Sequence, residues 1–142
     1  MTGFVVLLAT LAAATAVGFV WAGRRGRLRA VVDDEGGAAD AATLRAIGVE
    51  PGPRGTLVQF SSTFCAPCRA TRRVLTDVAA MVDGVAYVEV DAEANLDAVR
   101  RLRIMRTPTT FVLDAGGRVV VRASGQPRKP DVLAALGRVV PR

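Results

Sequence analysis

Two cysteines lie three positions apart in the stretch SSTFCAPCR, at Cys65 and Cys68, in a 142-residue chain with no histidine and no other cysteine. The apolar spacing that follows predicts a helix from Cys65 to about Met81, so the pair lies at a helix N-terminus. There both sulfurs share one face and can close a small disulfide ring. Unpaired backbone N–H groups and the helix dipole favour ionisation of the Cys65 thiol, and Cys68 is expected to be the more buried, resolving thiol.

The pair has three alternative roles. Structural zinc needs four ligands, so a zinc site would require carboxylates or a second chain. A purely structural disulfide would stabilise the fold little, because a ring this small restrains little of the unfolded chain. Inert buried thiols are unusual at a helix N-terminus that follows a strand. A redox-active pair fits the pattern best, and we expect no metal.

The elements that must position the pair follow a regular order. Apolar, β-prone runs, helical periodicities and the Gly-rich turn at 114–117 predict strands at 56–60, 85–90, 109–113 and 118–123 and helices at 65–81, 94–102 and 131–140. The order is β-α-β-α-β-β-α. Strands separated by helices are expected to pair in parallel, and the hairpin adds an antiparallel strand. The predicted fold is α/β, a mixed sheet covered by helices.

The N-terminus predicts a membrane anchor over residues 1–23. Gly3 to Ala22 form a run of 20 residues without a charge, long enough for a helix to cross a bilayer, and Trp21 suits the interface. A cleaved signal peptide and a buried helix are the alternatives. A signal peptide normally carries positive charge before its apolar run, and here no Lys or Arg precedes it.

Residues 24–54 are predicted to be a linker, and residues 55–142 the main domain. Within the linker, a short strand is expected from Leu28, Val31 and Val32, and Asp40 is expected to cap a short helix that Gly48 ends.

The basic residues indicate orientation rather than nucleic-acid binding. Four arginines directly follow the apolar run, at positions 24, 25, 27 and 29, which predicts a cytoplasmic C-terminal domain. The net charge is +6 and the sequence pI about 10.9. The other arginines are scattered and Lys129 is the only lysine, so we expect no nucleic-acid partner.

The segments Phe64-Cys65-Ala66-Pro67-Cys68 and Arg106-Thr107-Pro108-Thr109, each beside a predicted strand, resemble the thioredoxin family. The resemblance covers about residues 55–140. It implies a thioredoxin-like fold in which Cys65 attacks a substrate disulfide and Cys68 resolves the mixed disulfide. It also implies a cis-proline at Pro108 and a substrate-binding surface formed by Phe64, Pro67, Thr107 and Pro108. The alternative for Pro108 is an ordinary proline at the start of a strand.

The sequence departs from the family's usual pattern at three positions. Phe64 stands where tryptophan is common, and Ala66 where glycine is common. Gln59 stands six residues before Cys65, where the family often keeps a buried acid that exchanges a proton with the resolving thiol. Glutamine cannot relay that proton, and its alternative role is a hydrogen-bonded core amide. Ala66 and Pro67 add no group that stabilises the thiolate further, which predicts a reducing pair, nearer about −270 mV than about −120 mV.

Two arginine groups, at positions 69, 72 and 73 and at positions 100, 101, 103 and 106, predict a basic rim around the site that favours acidic partners. The alternative is that these are ordinary solvated helix faces.

The functional prediction is a membrane-tethered thiol–disulfide oxidoreductase that reduces or exchanges protein disulfides near the inner face of the membrane. It needs no cofactor beyond the Cys65–Cys68 disulfide. An upstream reductase or a small thiol supplies its electrons. The alternatives are an outward-facing protein for cytochrome or envelope-protein maturation and a redox-inactive peptide-binding module.

Overall fold

The computed structural model describes residues 2–24, 27–30 and 34–140 of the chain. After an apolar N-terminal helix, the described chain forms a five-stranded mixed sheet with helices on both faces. In chain order the elements are α1 (Thr2–Arg24), β1 (Leu28–Ala30), α2 (Asp34–Ala46), β2 (Gly55–Ser61), α3 (Ala66–Met81), β3 (Val85–Asp91), α4 (Leu96–Arg101), β4 (Thr109–Asp114), β5 (Val119–Ser124) and α5 (Lys129–Val139). The predicted mixed sheet and the order from β2 to α5 are confirmed.

Strand β2 lies inside the sheet, whose order is β1-β5-β4-β2-β3. It pairs in parallel with β3 and antiparallel with β4, while β5 pairs antiparallel with both β4 and β1. Every residue of β2 is buried. A short apolar run between turn residues is typical of such an interior strand, which is covered on both faces.

The expectation of parallel pairing was wrong for β4, which follows a helix yet pairs antiparallel with β2. The reason is the length of α4. Its six residues rise about 9 Å, whereas the seven residues of β3 span about 23 Å. The chain therefore does not run back along the sheet, and β4 starts at the end where β3 stopped.

Two apolar layers hold the helices to the sheet. On one face, Leu44 of α2 and Leu102 after α4 pack with Phe60 and Phe111, whose rings meet edge to face at 5.9 Å. On the other face, α3 and α5 cover the sheet with side chains that include Leu75, Val78, Val132 and Leu136. The amphipathic periodicity of these helices explains why each buries one stripe.

Part of the segment predicted as a linker, where a short strand and a short helix were expected, packs on the sheet. It holds β1 and α2, and α2 begins at Asp34, so Asp40 lies inside the helix rather than capping it. Asp40 is half-buried; burial raises its pKa, and nearby Arg122 and Arg103 oppose the rise. The alanines around Asp40 favour helix, which explains the earlier start. Gly48, at φ +85°, follows the helix as predicted, whereas Val31 and Val32 lie outside the described residues.

Helix α1 is long and apolar enough to cross a membrane. The stretch Thr2–Trp21 has a mean hydropathy of 2.3, and none of it is buried inside the protein. Large apolar side chains such as Phe4 and Phe19 are exposed. One such helix near an N-terminus is found both in membrane anchors and in signal sequences.

A pair of glycine substitutions tests the packing of α2 on the sheet. A Cβ on Gly37 would lie 2.7 Å from the backbone oxygen of Val119, whereas a Cβ on Gly137 in α5 meets nothing within 4 Å. We expect Gly37→Ala to lower the free energy of unfolding by about 1–3 kcal/mol through overpacking. Gly137→Ala should raise it by about 0.5–1 kcal/mol through helix propensity. Urea unfolding of the full chain in detergent measures both, and equal effects would contradict the close packing of α2.

Candidate active site

The cysteine pair lies where the buried strand β2 gives way to α3. Cys65 occupies the N-cap position of α3, and Cys68 lies in its first turn. The two sulfurs form a disulfide. Cys65 is 8% exposed and Cys68 2% exposed, in the order expected for an attacking and a resolving sulfur.

A backbone hydrogen bond shows how the helix N-terminus acts on Cys65. The Cys68 N–H donates to Cys65 Sγ at 3.1 Å, so the sulfur takes the place of a capping oxygen. Proline at position 67 suits the first turn, because the N–H that it lacks has no partner within a helix. The same N–H would stabilise a thiolate on Cys65 in the reduced chain.

The loop before β4 lies beside the loop that carries the cysteines. Phe60 pairs with Thr109, so the residues just before β4 lie level with the residues just after β2. The side-chain hydroxyls of Ser62 and Thr107 are 2.9 Å apart and join the two loops. The Thr107–Pro108 peptide bond is cis, in agreement with the expectation for Pro108.

Exposed apolar side chains lie in the loop of the disulfide and in the loop before β4. Phe64 is 99% exposed, and Pro67 is also exposed. Met105, which the sequence analysis did not single out, is 91% exposed in the loop before Pro108. The sequence signal that could have identified Met105 was its position among arginines, just before Thr107 and Pro108. Large apolar side chains this exposed are typical of contact surfaces when they cluster.

Beneath the disulfide, Gln59 holds three hydrogen bonds and is fully buried. Its Nε2 donates to the Cys68 backbone oxygen at 2.9 Å and to Ser61 Oγ at 2.8 Å. Its Oε1 accepts a bond of 3.0 Å from the Tyr87 hydroxyl. Burial, and then the Glu89 charge, raise the pKa of Tyr87 to about 12. Gln59 is therefore a hydrogen-bonded core amide, which positions Cys68 but carries no ionisable proton.

An ion pair connects this core amide to the surface. Ser61 Oγ donates to Glu89 Oε1 at 2.7 Å, and the Arg72 guanidinium donates to both Glu89 oxygens at 2.7 and 2.8 Å. Partial burial opposes ionisation of Glu89, but the bonds from Arg72 and Ser61 outweigh it and leave its pKa lowered. Glu89 was missed from sequence, although the alternation of Tyr87 and Glu89 along β3 was a signal.

Two buried hydroxyls lie in the same polar layer. Gln59 pairs with Thr110 of β4, and Thr71 lies one turn after Cys68. Both threonines are fully buried, and their Oγ1 atoms have no hydrogen-bond partner among the described residues. The layer below the disulfide is thus polar, whereas further along the same face of the sheet Leu57 and Val112 are apolar.

The arginines predicted as a basic rim are all exposed, and two of them form ion pairs. Arg72 is bound to Glu89, and Arg100 is bound to Asp97. Arg69, Arg73, Arg101, Arg103 and Arg106 are exposed. Arg122, which was not predicted, joins β5 to the end of α4. It donates to the backbone oxygens of Leu102 and Arg103 and lies 5.2 Å from the Phe111 ring centroid.

In the part of the chain that the structure describes, no group of three or more His, Cys, Asp or Glu side chains could hold a metal ion. Both sulfurs are bound to each other. The chemistry that this arrangement can perform is thiol–disulfide exchange.

Comparisons with known proteins agree with this geometry. The Thioredoxin family model matches residues 49–137. The chain is similar to thioredoxin from Alicyclobacillus acidocaldarius, with 32% identity over 90 residues that cover 63% of this chain and 85% of that protein. It is 31% identical over 86 residues to the bifunctional thioredoxin reductase/thioredoxin of Mycobacterium leprae, covering 60% of this chain and 19% of that protein.

The chain spans only 49% and 11% of two further curated relatives. Among solved structures, thioredoxin from Fasciola hepatica has 25% sequence identity and a TM-score of 0.57, covering 70% of this chain and 93% of that one. The matching family model spans more than half of the chain and contains the disulfide, so this chain belongs to the thioredoxin family of thiol–disulfide oxidoreductases.

Proposed function

We propose that this chain reduces or exchanges disulfides of other proteins while α1 anchors it in a membrane, with its thioredoxin-like domain on the cytoplasmic side. The observation that carries the proposal is the Cys65–Cys68 disulfide at the N-terminus of α3, beside the loop of Thr107 and Pro108. Exposed Phe64 and Pro67 border this site and support contact with a substrate peptide.

The reaction has two exchange steps. The Cys65 thiolate attacks one sulfur of the substrate disulfide, forms a mixed disulfide and expels the other sulfur as a thiolate, which takes up a proton. The Cys68 thiolate then attacks Cys65 Sγ, forms the Cys65–Cys68 disulfide and releases the second substrate sulfur, which is also protonated. Two electrons pass from the protein dithiol to the substrate.

The oxidised pair must then be reduced from outside. We propose an upstream reductase or a small thiol as the donor, and no cofactor beyond the disulfide itself. The relative from Mycobacterium leprae, whose name joins a thioredoxin reductase to a thioredoxin, supports a donor of the reductase class.

The membrane anchor is proposed from α1 and its flank. The 20 residues Thr2–Trp21 rise about 30 Å as a helix, the thickness of a bilayer core. Arginines at positions 24, 25, 27 and 29 follow directly, and such residues favour the cytoplasmic side.

A pair of cysteine substitutions tests the assigned roles. In reduced full-length Cys68→Ser, a substrate disulfide should form a stable adduct on Cys65, because no resolving thiol remains. In the matched Cys65→Ser variant, adduct formation should be at least about tenfold slower, because Cys68 is nearly inaccessible. Mass spectrometry after incubation with a disulfide peptide measures both. Adducts at equal rates would overturn the roles, and none in either would favour a peptide-binding module.

The substituted proton-relay position is tested by Gln59→Asp, with Gln59→Asn as the control of equal size. Both variants shorten the side chain that contacts Cys68, but only the aspartate can accept the proton of the Cys68 thiol. We expect the resolving step in single-turnover kinetics to be at least about tenfold faster with aspartate than with asparagine. Equal rates would show that proton transfer does not limit this step.

The membrane side is tested by labelling cysteines in intact cells with a membrane-impermeant thiol reagent. We expect Cys65 to be labelled only after the membrane is permeabilised. Labelling without permeabilisation would place the domain outside and favour a role in cytochrome or envelope-protein maturation.

A further inference from the structure

The strand that follows α1 is fixed to the thioredoxin-like domain. β1 pairs with β5 along its whole length, with Leu28 opposite Ala123 and Ala30 opposite Val121. The Leu28 side chain is half-buried and packs against the apolar layer of α3 and α5. The chain therefore enters the domain at a defined place, the free edge of β5.

The direction of β1 shows at which end of the sheet the chain enters the domain. β1 is antiparallel to β5, β5 to β4, and β4 to β2, so β1 runs opposite to β2. The start of β1 accordingly lies at the end of the sheet where β2 finishes and the cysteines begin. The register agrees, because Leu28, Ala123, Thr110 and Gln59 lie in one row across the sheet, two residues before the end of β2.

Chain length then limits the distance between the active site and the end of α1. Three residues lie between Arg24 and Leu28, and the four steps from one to the other can span at most about 14 Å. Three strand spacings separate β1 from β2, about 14 Å across the sheet. Gln59 is thus held within about 28 Å of the point where α1 ends, and its side chain contacts the Cys68 backbone oxygen at 2.9 Å.

From this geometry we infer that the active-site end of the domain faces the membrane, and that the preferred substrates are disulfides in membrane proteins, in segments close to the bilayer surface. The inference rests on the proposed membrane anchor and on the proposed disulfide exchange. A shared membrane raises the effective concentration of such a substrate, to about millimolar for short flexible linkers, and β1 fixes the point of attachment at the active-site end of the domain.

The side chains at this end of the domain also suit contact with a bilayer surface. Phe64 presents an exposed apolar side chain next to Cys65, and Met105 presents one in the loop before Pro108, which also carries the exposed arginines 103 and 106. Arg106 donates to the Ser124 backbone oxygen at the end of β5, so it also lies near the start of β1. Apolar and cationic side chains together match the interface of a bilayer with anionic lipids.

The test compares substrate distance from the bilayer. The full chain is reconstituted in vesicles with a synthetic single-span peptide whose disulfide loop lies either 4 or 30 residues from the span, on the side of the domain. We expect the near loop to be reduced at least about tenfold faster. The control chain carries 20 Gly/Ser residues inserted between Arg25 and Gly26, which frees the domain to reorient, and its near-to-far ratio should fall to about one.

Three further outcomes are distinguishable. If the native chain reduces both loops equally, or the far loop faster, the inference is wrong while the proposed function stands. If neither chain reduces a soluble disulfide peptide, the proposed function itself fails. If the chain does not float with the vesicles, the anchor is wrong and the inference falls with it.

Discussion

The pairing of β2 with a strand on each side is the constraint on which the active site depends. Because β3 and β4 hold β2 along its length and helices cover both faces, the end of β2 is a fixed point. The disulfide follows that point by four residues, and the cis-Pro108 loop reaches it because β4 starts beside the same end. Had α4 been long enough to cross the sheet, this loop would lie at the opposite end.

The same strand also determines what lies beneath the sulfurs. Alternation along β2 turns Leu57 and Gln59 to the α3 face, so the position below Cys68 is filled by an amide whose bonds run to Cys68, Ser61 and Tyr87. The carboxylate of this network belongs to Glu89 of β3, which Arg72 binds near the surface. An uncharged amide avoids the cost of burying an unpaired carboxylate, but it leaves proton transfer from Cys68 to another acceptor.

Much of this arrangement could be predicted from sequence because its signals are local. Periodicity located the strands and helices from β2 to α5, and spacing placed Cys65 and Cys68 at a helix N-terminus. The errors concern contacts between distant segments. The pairing of β1 with β5 and the chain of bonds from Gln59 to Glu89 and Arg72 depend on register across the sheet. The antiparallel direction of β4 depends on how far the chain travels between β3 and β4, which the short α4 limits. The error at Asp40 is instead local, because the alanines around it favour helix and α2 begins at Asp34.

The proposed function depends on Cys65 and Cys68 forming a reducing thiol–disulfide pair. The most direct test is its reduction potential in the full chain, measured by equilibration against glutathione or dithiothreitol and alkylation of the free thiols. With a single backbone N–H on Cys65 Sγ and the uncharged Ala66 and Pro67 between the cysteines, we expect a value of about −270 mV. A value near about −120 mV would contradict it and indicate an oxidant or isomerase instead.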